Sequence, residues 1–211
     1  MIVTADAIRD LDRGAKVTIE DQSRVEAAVQ RVERLNPVRA TLTNPDINGE
    51  PPAVFHGMPS SGRSHSPAGK WRLVYTTSRS ILGLDKPEFL RPKGPIFQFI
   101  DVEKKKAKNQ VKTLSDAPGG REGLVLRGTR ENPQEPGPFF NSVVAELIPE
   151  NDRKVLVQFK TFFIGGLIPV IAPANAIGDL ETTYVDAEMR ISRGNKGNVF
   201  VLLQEDPSAR L

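Results

Sequence analysis

The sequence has no cysteine, which removes disulfides, thiolate nucleophiles and Cys-based metal centres together. Histidine is nearly missing as well: His56 and His65 are the two, and both lie in a Pro/Gly/Ser-rich stretch, a poor frame for a rigid metal or catalytic centre. No run reads as a membrane-spanning helix. The longest charge-free run, 161–178, is interrupted by Gly165-Gly166, Pro169 and Pro173. The positive surplus is only +3, too small for nucleic-acid binding, which gathers Lys and Arg into one stripe. Met1 to Asp6 resembles neither a signal peptide nor an Arg- and Ser-rich transit peptide. The recognisable catalytic motifs are missing too: there is no G-x-S-x-G elbow, no H-E-x-x-H and no phosphate-binding glycine loop. Ser64-His65-Ser66 sets a hydroxyl beside an imidazole, but sequence adjacency does not make a nucleophile–base geometry. Asp46-Ile47-Asn48-Gly49 lacks the remaining ligands of a calcium loop. No catalytic residue, metal site or cofactor is expected.

What is present changes character along the 211 residues. Thr4 to Arg13 is a short amphipathic stretch ending at Gly14, and predicts a first helix. A second follows, capped by Asp21 or Ser23, with Val25, Ala28, Val29, Val32 and Leu35 at helical spacing and Asn36-Pro37 as its stop. From 44 to 69 the chain is turn and linker chemistry. After Lys70 the period switches from helix to strand. Trp71, Leu73 and Tyr75 alternate with Arg72, Val74 and Thr76, and Phe97 and Phe99 oppose Ile96, Gln98 and Ile100. Further strands are expected at 108–114, 123–128, 139–148, 153–163, 182–192 and 199–204, the last two joined by a turn at 193–197.

About eight strands with no helix between them predict a mainly β fold: an antiparallel up-and-down barrel preceded by two N-terminal α-helices. The expected organisation is a helical segment 1–43, a flexible linker or insertion 44–69, the barrel 70–206 and a tail 207–211. Eight strands leave an interior just wide enough for one small apolar ligand. The candidate cavity residues are Leu73, Tyr75, Ile100, Val157, Phe159 and Met189, and the assignable inward positions are nearly all apolar. In 182–192 the alternation sets Met189 and Ile191 opposite Asp186, Glu188 and Arg190. That polar face suits either acid–base work or a solvated, ion-paired strand.

Two segments have ambiguous surfaces. Lys104, Lys105 and Lys106, continuing to Lys108, form either a solubilising hairpin tip or an attraction to anionic lipid. The apolar but turn-rich stretch containing Leu167, Ile168, Val170 and Ile171 is either a buried plug or an exposed lip that meets lipid or protein.

Two motifs carry a family resemblance: Gly69-Lys70-Trp71-Arg72-Leu73-Val74-Tyr75-Thr76-Thr77, and the stretch from Leu180-Glu181-Thr182-Thr183-Tyr184 through Met189-Arg190-Ile191-Ser192-Arg193-Gly194 to Val199-Phe200-Val201-Leu202. They resemble the opening and closing motifs of the plastid lipid-associated proteins, also called fibrillins or plastoglobulins. The resemblance implies a lipocalin-like barrel in a plastid (stroma, plastoglobule or thylakoid surface), or a cytoplasmic or thylakoid-associated protein in a cyanobacterium. It also implies an apolar lipid ligand, such as an isoprenoid, prenylquinone or fatty acid, and peripheral contact with a lipid body or thylakoid. Gly69-x-Trp71 also resembles the lipocalin opening motif, in which a first-strand aromatic packs on a late arginine. Arg190 or Arg193 would then close the barrel on Trp71. The alternatives are an enzyme of lipid or isoprenoid metabolism that uses the cavity, and a stromal adaptor with a filled barrel.

Overall fold

The computed structural model describes residues 6–36, 68–85, 91–92, 94–101, 103–112, 140–164, 168–209 and 211. Among the described residues, one substantial helix, α1 (Ile19–Glu33), precedes the sheet. Its N-cap is Thr18, not Asp21 or Ser23. The Thr18 hydroxyl accepts from the Asp21 amide at 3.1 Å, and the Asp21 carboxylate accepts from the Thr18 amide at 3.2 Å. This reciprocal capping box satisfies two amides that the first turn would leave open. Leu35 does not join the apolar stripe; it falls past the helix end and is exposed.

The first helix expected from the sequence is a correction. Its described part, from Asp6 onward, forms one helical turn and then a 3-10 turn at Asp12–Gly14, with positive φ at Asp10, Asp12 and Arg13. Tertiary contacts override the weak local pattern. Arg13 donates to the carbonyls of Pro92 and Gly94, and Ala7 and Leu11 bury against the barrel wall. Gly14 is required here: its φ is +102°, and a Cβ would lie 2.2 Å from the Thr76 carbonyl oxygen.

The strands are β1 (Gly69–Thr76), β2 (Ile96–Asp101), β3 (Lys106–Lys112), β4 (Phe140–Pro149), β5 (Lys154–Ile164), β6 (Ile168–Ile171), β7 (Ile177–Val185), β8 (Met189–Gly194) and β9 (Val199–Asp206), with a one-turn helix, α2 (Arg79–Leu82), after β1. Every pairing is antiparallel, the chain meanders, and β9 returns to β1. The result is a closed eight-stranded up-and-down barrel, which leaves fewer exposed edges than an open sheet. The ninth strand, β6, is an appendage. The edge of β5 is shared, with 154–158 pairing to β7 and 161–164 pairing to β6.

The eight barrel strands are not quite the eight expected. The candidate at 123–128 lies outside the described residues, and the span 182–192 is two strands instead of one. Asp186 makes the break: its carboxylate accepts from the amides of Glu188 and Met189 at 2.8 and 2.6 Å, turning the chain between β7 and β8.

Bulges decide which residues face inward. Between Leu73 and Tyr75 the β1–β9 register slips by one, so Leu73 pairs with Leu202 and Tyr75 with Val201. Leu73 faces the interior, whereas Val74 and Tyr75 both turn outward beneath α1. A second slip between Thr182 and Tyr184 keeps Thr182 and Val185 inside and turns Tyr184 out. The outer face of β1, β8 and β9 is thus a core in its own right, where Val25, Ala28 and Val29 of α1 pack on Tyr75, Met189, Ile191 and Val201.

Candidate ligand cavity

The barrel interior holds two adjoining cavities that share Gln98, Asn109, Val157, Phe159 and Leu180 on their walls. The larger, about 270 Å³, opens at the end of the barrel formed by α2 and the β8–β9 turn and is lined by Leu73, Ile96, Ile177 and Leu202. We call this the upper end. The smaller, about 60 Å³, lies towards the lower end, where the β2–β3 and β4–β5 hairpins turn, and is lined by Ile100, Ala107, Ala145 and Val155. Four of the six expected cavity residues are on these walls: Leu73, Ile100, Val157 and Phe159. Tyr75 and Met189 are corrections. The β1 bulge turns Tyr75 outward. Met189 pairs with Leu203 and shares the outer face with Ile191, one step out of phase with Arg190.

That phase correction has a chemical consequence, because Arg190 points inward. It pairs with Leu202, is completely buried, and holds its guanidinium 5.0 Å from the centre of the Trp71 ring. Trp71 is itself fully buried, in a cluster with Leu73, Ile96 and Val185. Burial lowers the pKa of Arg190 to about 9, since the surrounding apolar walls disfavour its charged form. No ion pair to it is found among the described residues. Its Nη2 donates to Oε1 of Gln98, and Nε2 of Gln98 donates to Oδ1 of Asn109 at 3.1 Å. Nε and Nη1 of Arg190, and the Ser192 hydroxyl, are buried without a partner among the described residues.

The interior is therefore more polar than the sequence pattern implied. Gln98, Asn109, Thr182, Arg190 and Ser192 all line it. The signal was present for Gln98, which alternates in phase with Ile96 and Ile100. For Arg190 and Ser192 it was hidden by the turn at Asp186.

Arg193 sits outside the barrel, in the seam between β8 and α1. It donates to Glu33 at 2.7 and 2.9 Å and to Glu26 at 2.8 Å. Its bonds to Glu33 and Glu26 raise its pKa against the opposing effect of burial. Asn36 and Thr183 extend the same seam: the Asn36 amide donates to the Thr183 carbonyl at 2.9 Å, and the Thr183 hydroxyl to Glu33 at 2.6 Å.

The ambiguous apolar stretch is exposed where it is described. Ile164, Ile168 and Ile171 are 53%, 60% and 84% exposed, and Phe162 and Val170 are open as well. Residues paired directly across antiparallel strands share a face, so the pairs Phe162–Val170 and Ile164–Ile168 form one apolar surface on the β5–β6 hairpin. Phe162 stacks near Phe159 of the cavity wall, ring centres 6.3 Å apart, and so joins this lip to the cavity. Leu167 lies outside the described residues. The lysines are elsewhere. Lys106 pairs with Glu146, level with Gln158, and Lys104 and Lys105 occupy the lower β2–β3 hairpin. Lys104 is tied down by Asp101 and the Leu211 carbonyl. From Gln158 the strand climbs about 10 Å to Thr161, where the lip begins, and about 20 Å to Ile164, so the tip of the lip points to the upper end and the lysines to the lower.

Asp179, the one carboxylate on the described cavity walls, is held by Lys154 at 2.9 Å. No cluster of three or more His, Asp or Glu side chains suited to a metal ion occurs among the described residues.

Comparison with known proteins bears on this arrangement. The chain is 34% identical over 207 residues to the probable plastid-lipid-associated protein 5, chloroplastic, of Arabidopsis thaliana, covering 98% of this chain and 69% of that one. It is 28% identical over 208 residues to plastid-lipid-associated protein 6, chloroplastic, of the same plant, covering 93% and 66%. The chain thus spans about two thirds of the length of each. The PAP_fibrillin family model matches residues 61–123 and 136–203, a span that reaches from before β1 into β9. An eight-stranded barrel with that match and those relatives belongs to the PAP_fibrillin family.

Proposed function

We propose that this protein is a non-enzymatic lipid-handling protein of plastids that holds an apolar lipid in its barrel and rests peripherally on a plastoglobule or thylakoid surface. The observation that carries the reading is the continuity between the interior and the lip: Phe159 lines the cavity, Phe162 stacks beside it, and Ile164, Ile168 and Val170 continue the apolar surface outward. Soluble proteins seldom expose apolar side chains in one contiguous strip without a partner to cover them. The relatives' names, plastid-lipid-associated and chloroplastic, support both a lipid association and the compartment. The described walls favour binding over catalysis, because the one carboxylate on them is already ion-paired.

The tip of the lip points to the upper end and Lys104–Lys106 turn at the lower end, so we assign docking to the lip. Apolar surface entering lipid gains about 25 cal/mol per Å², so a few aliphatic side chains contribute several kcal/mol. That gain does not depend on salt, whereas lysine attraction is screened within about 10 Å at 0.1 M. Cosedimentation with galactolipid vesicles at low and high salt is the test. Binding should survive high salt and be lost when Ile168 and Val170, which share the lip face, are changed to Asp. Release by salt alone would return the role to Lys104–Lys106, and no binding in either condition would reject the surface reading.

A further inference from the structure

The direction of every hydrogen bond around Arg190 follows from one chemical fact: a guanidinium has donors and no acceptor. The Gln98 atom facing it must therefore be the carbonyl oxygen, as found, which turns the Gln98 amide nitrogen towards Asn109 and engages the Asn109 oxygen. Asn109 is left with its amide nitrogen to offer. The open hydrogen-bonding capacity beside Arg190 is then donor: its own Nε and Nη1 and the nitrogen of Asn109, while the adaptable hydroxyl of Ser192 lies on the wall of the larger cavity above. A fully buried cation with two unpaired nitrogens facing a cavity costs more than its contact with Trp71 returns, unless an acceptor enters.

We infer that Arg190, with Asn109, is the seat for the carboxylate of a single-chain lipid acid, which enters head-first from the upper end and leaves its tail along Leu73, Phe159 and the lip. The inference rests on the lipid-binding reading above and narrows its ligand class. Size agrees with it. One water needs at least about 10–15 Å³, so about 60 Å³ beside Arg190 is room enough for a carboxylate. Charge agrees too. Lys105 and Arg153 share the wall with Arg190, and Arg153 stands 3.9 Å from Glu181. The fatty chain then meets apolar surface from Val157 and Phe159 outward, and length beyond the cavity runs between Phe162 and Ile168.

The test is calorimetric titration of the full chain with dodecanoic acid, its methyl ester and a prenylquinone. The acid should bind wild type about tenfold or more tightly than the ester, the worth of charge-assisted hydrogen bonds to one carboxylate. Arg190→Met should abolish that preference while leaving the ester unchanged, and Arg190→Lys should keep part of it. Asn109→Leu should weaken the acid alone and serves if the arginine variants fold poorly. Acid and ester binding wild type equally would overturn the carboxylate seat and leave the lipid-binding barrel standing, as would an acid preference that survives Arg190→Met. Failure of all three ligands to bind would remove both readings.

Discussion

Arg190 and Arg193 stand three residues apart on β8 and occupy opposite environments. Arg193, in the seam under α1, has two carboxylates within 2.9 Å and lies partly in solvent. Arg190, inside the barrel, has one amide oxygen, one indole face and two idle nitrogens. The seam is satisfied and the interior is not. A charge that helps the fold is surrounded by its counter-ions, whereas a buried charge short of partners is tolerated at a cost in stability. The contrast separates a structural arginine from one that is available to a ligand.

The largest expected effect falls on the interior. Trp71→Ala removes the biggest fully buried side chain among the described residues and should cost about 3–5 kcal/mol in urea melts. A loss below about 1 kcal/mol would mean that the indole does not hold the wall against which Arg190 stands. Two matched variants test the difference between the arginines. Arg190→Met should leave stability unchanged or raise it by up to about 3 kcal/mol, because the cost of burying the charge disappears with it. Arg193→Met should lower stability by about 1–2 kcal/mol, since its charged hydrogen bonds are partly exposed and discounted accordingly. Equal losses from the two would erase the distinction.

The smallest effect is a pH dependence of the seam. Burial raises the Glu26 carboxyl, but hydrogen bonds from Arg193 and Gln30 outweigh it and hold its pKa below the ordinary value of 4.5. A depressed carboxylate stabilises the fold above its unfolded pKa and loses that contribution as pH falls through the folded one. Wild type should therefore exceed Glu26→Gln in stability near neutral pH, and the gap should close as pH drops below about 4.5. A gap that is constant across that range would show that the Glu26 charge adds nothing to the seam.

How much of this was legible beforehand depended on whether a residue's neighbours in sequence are also its neighbours in space. The α1 stripe was readable because Val25, Ala28 and Val29 fall on one face by helical period alone. The in-phase run Ile96, Gln98, Ile100 was readable for the same reason, since β2 carries no bulge against β1 or β3. The first helix was misread because Arg13 bonds to residues about eighty positions away, a tie no local pattern records. The cavity list erred at Tyr75 and Met189, the first beside a bulge and the second just past a turn, each of which resets a period-2 count by one.

Sequence alone determined the strand-rich class and the family, because alternation and turn residues act over a few positions and the motifs at 69–77 and 180–202 are contiguous. Tertiary structure decided which arginine faces the cavity, which end carries the apolar lip and which end the lysines. Those are questions of register, and register is set across strands: a slip of one residue sends a side chain to the other face of the sheet, yet changes nothing in the composition of the strand that carries it.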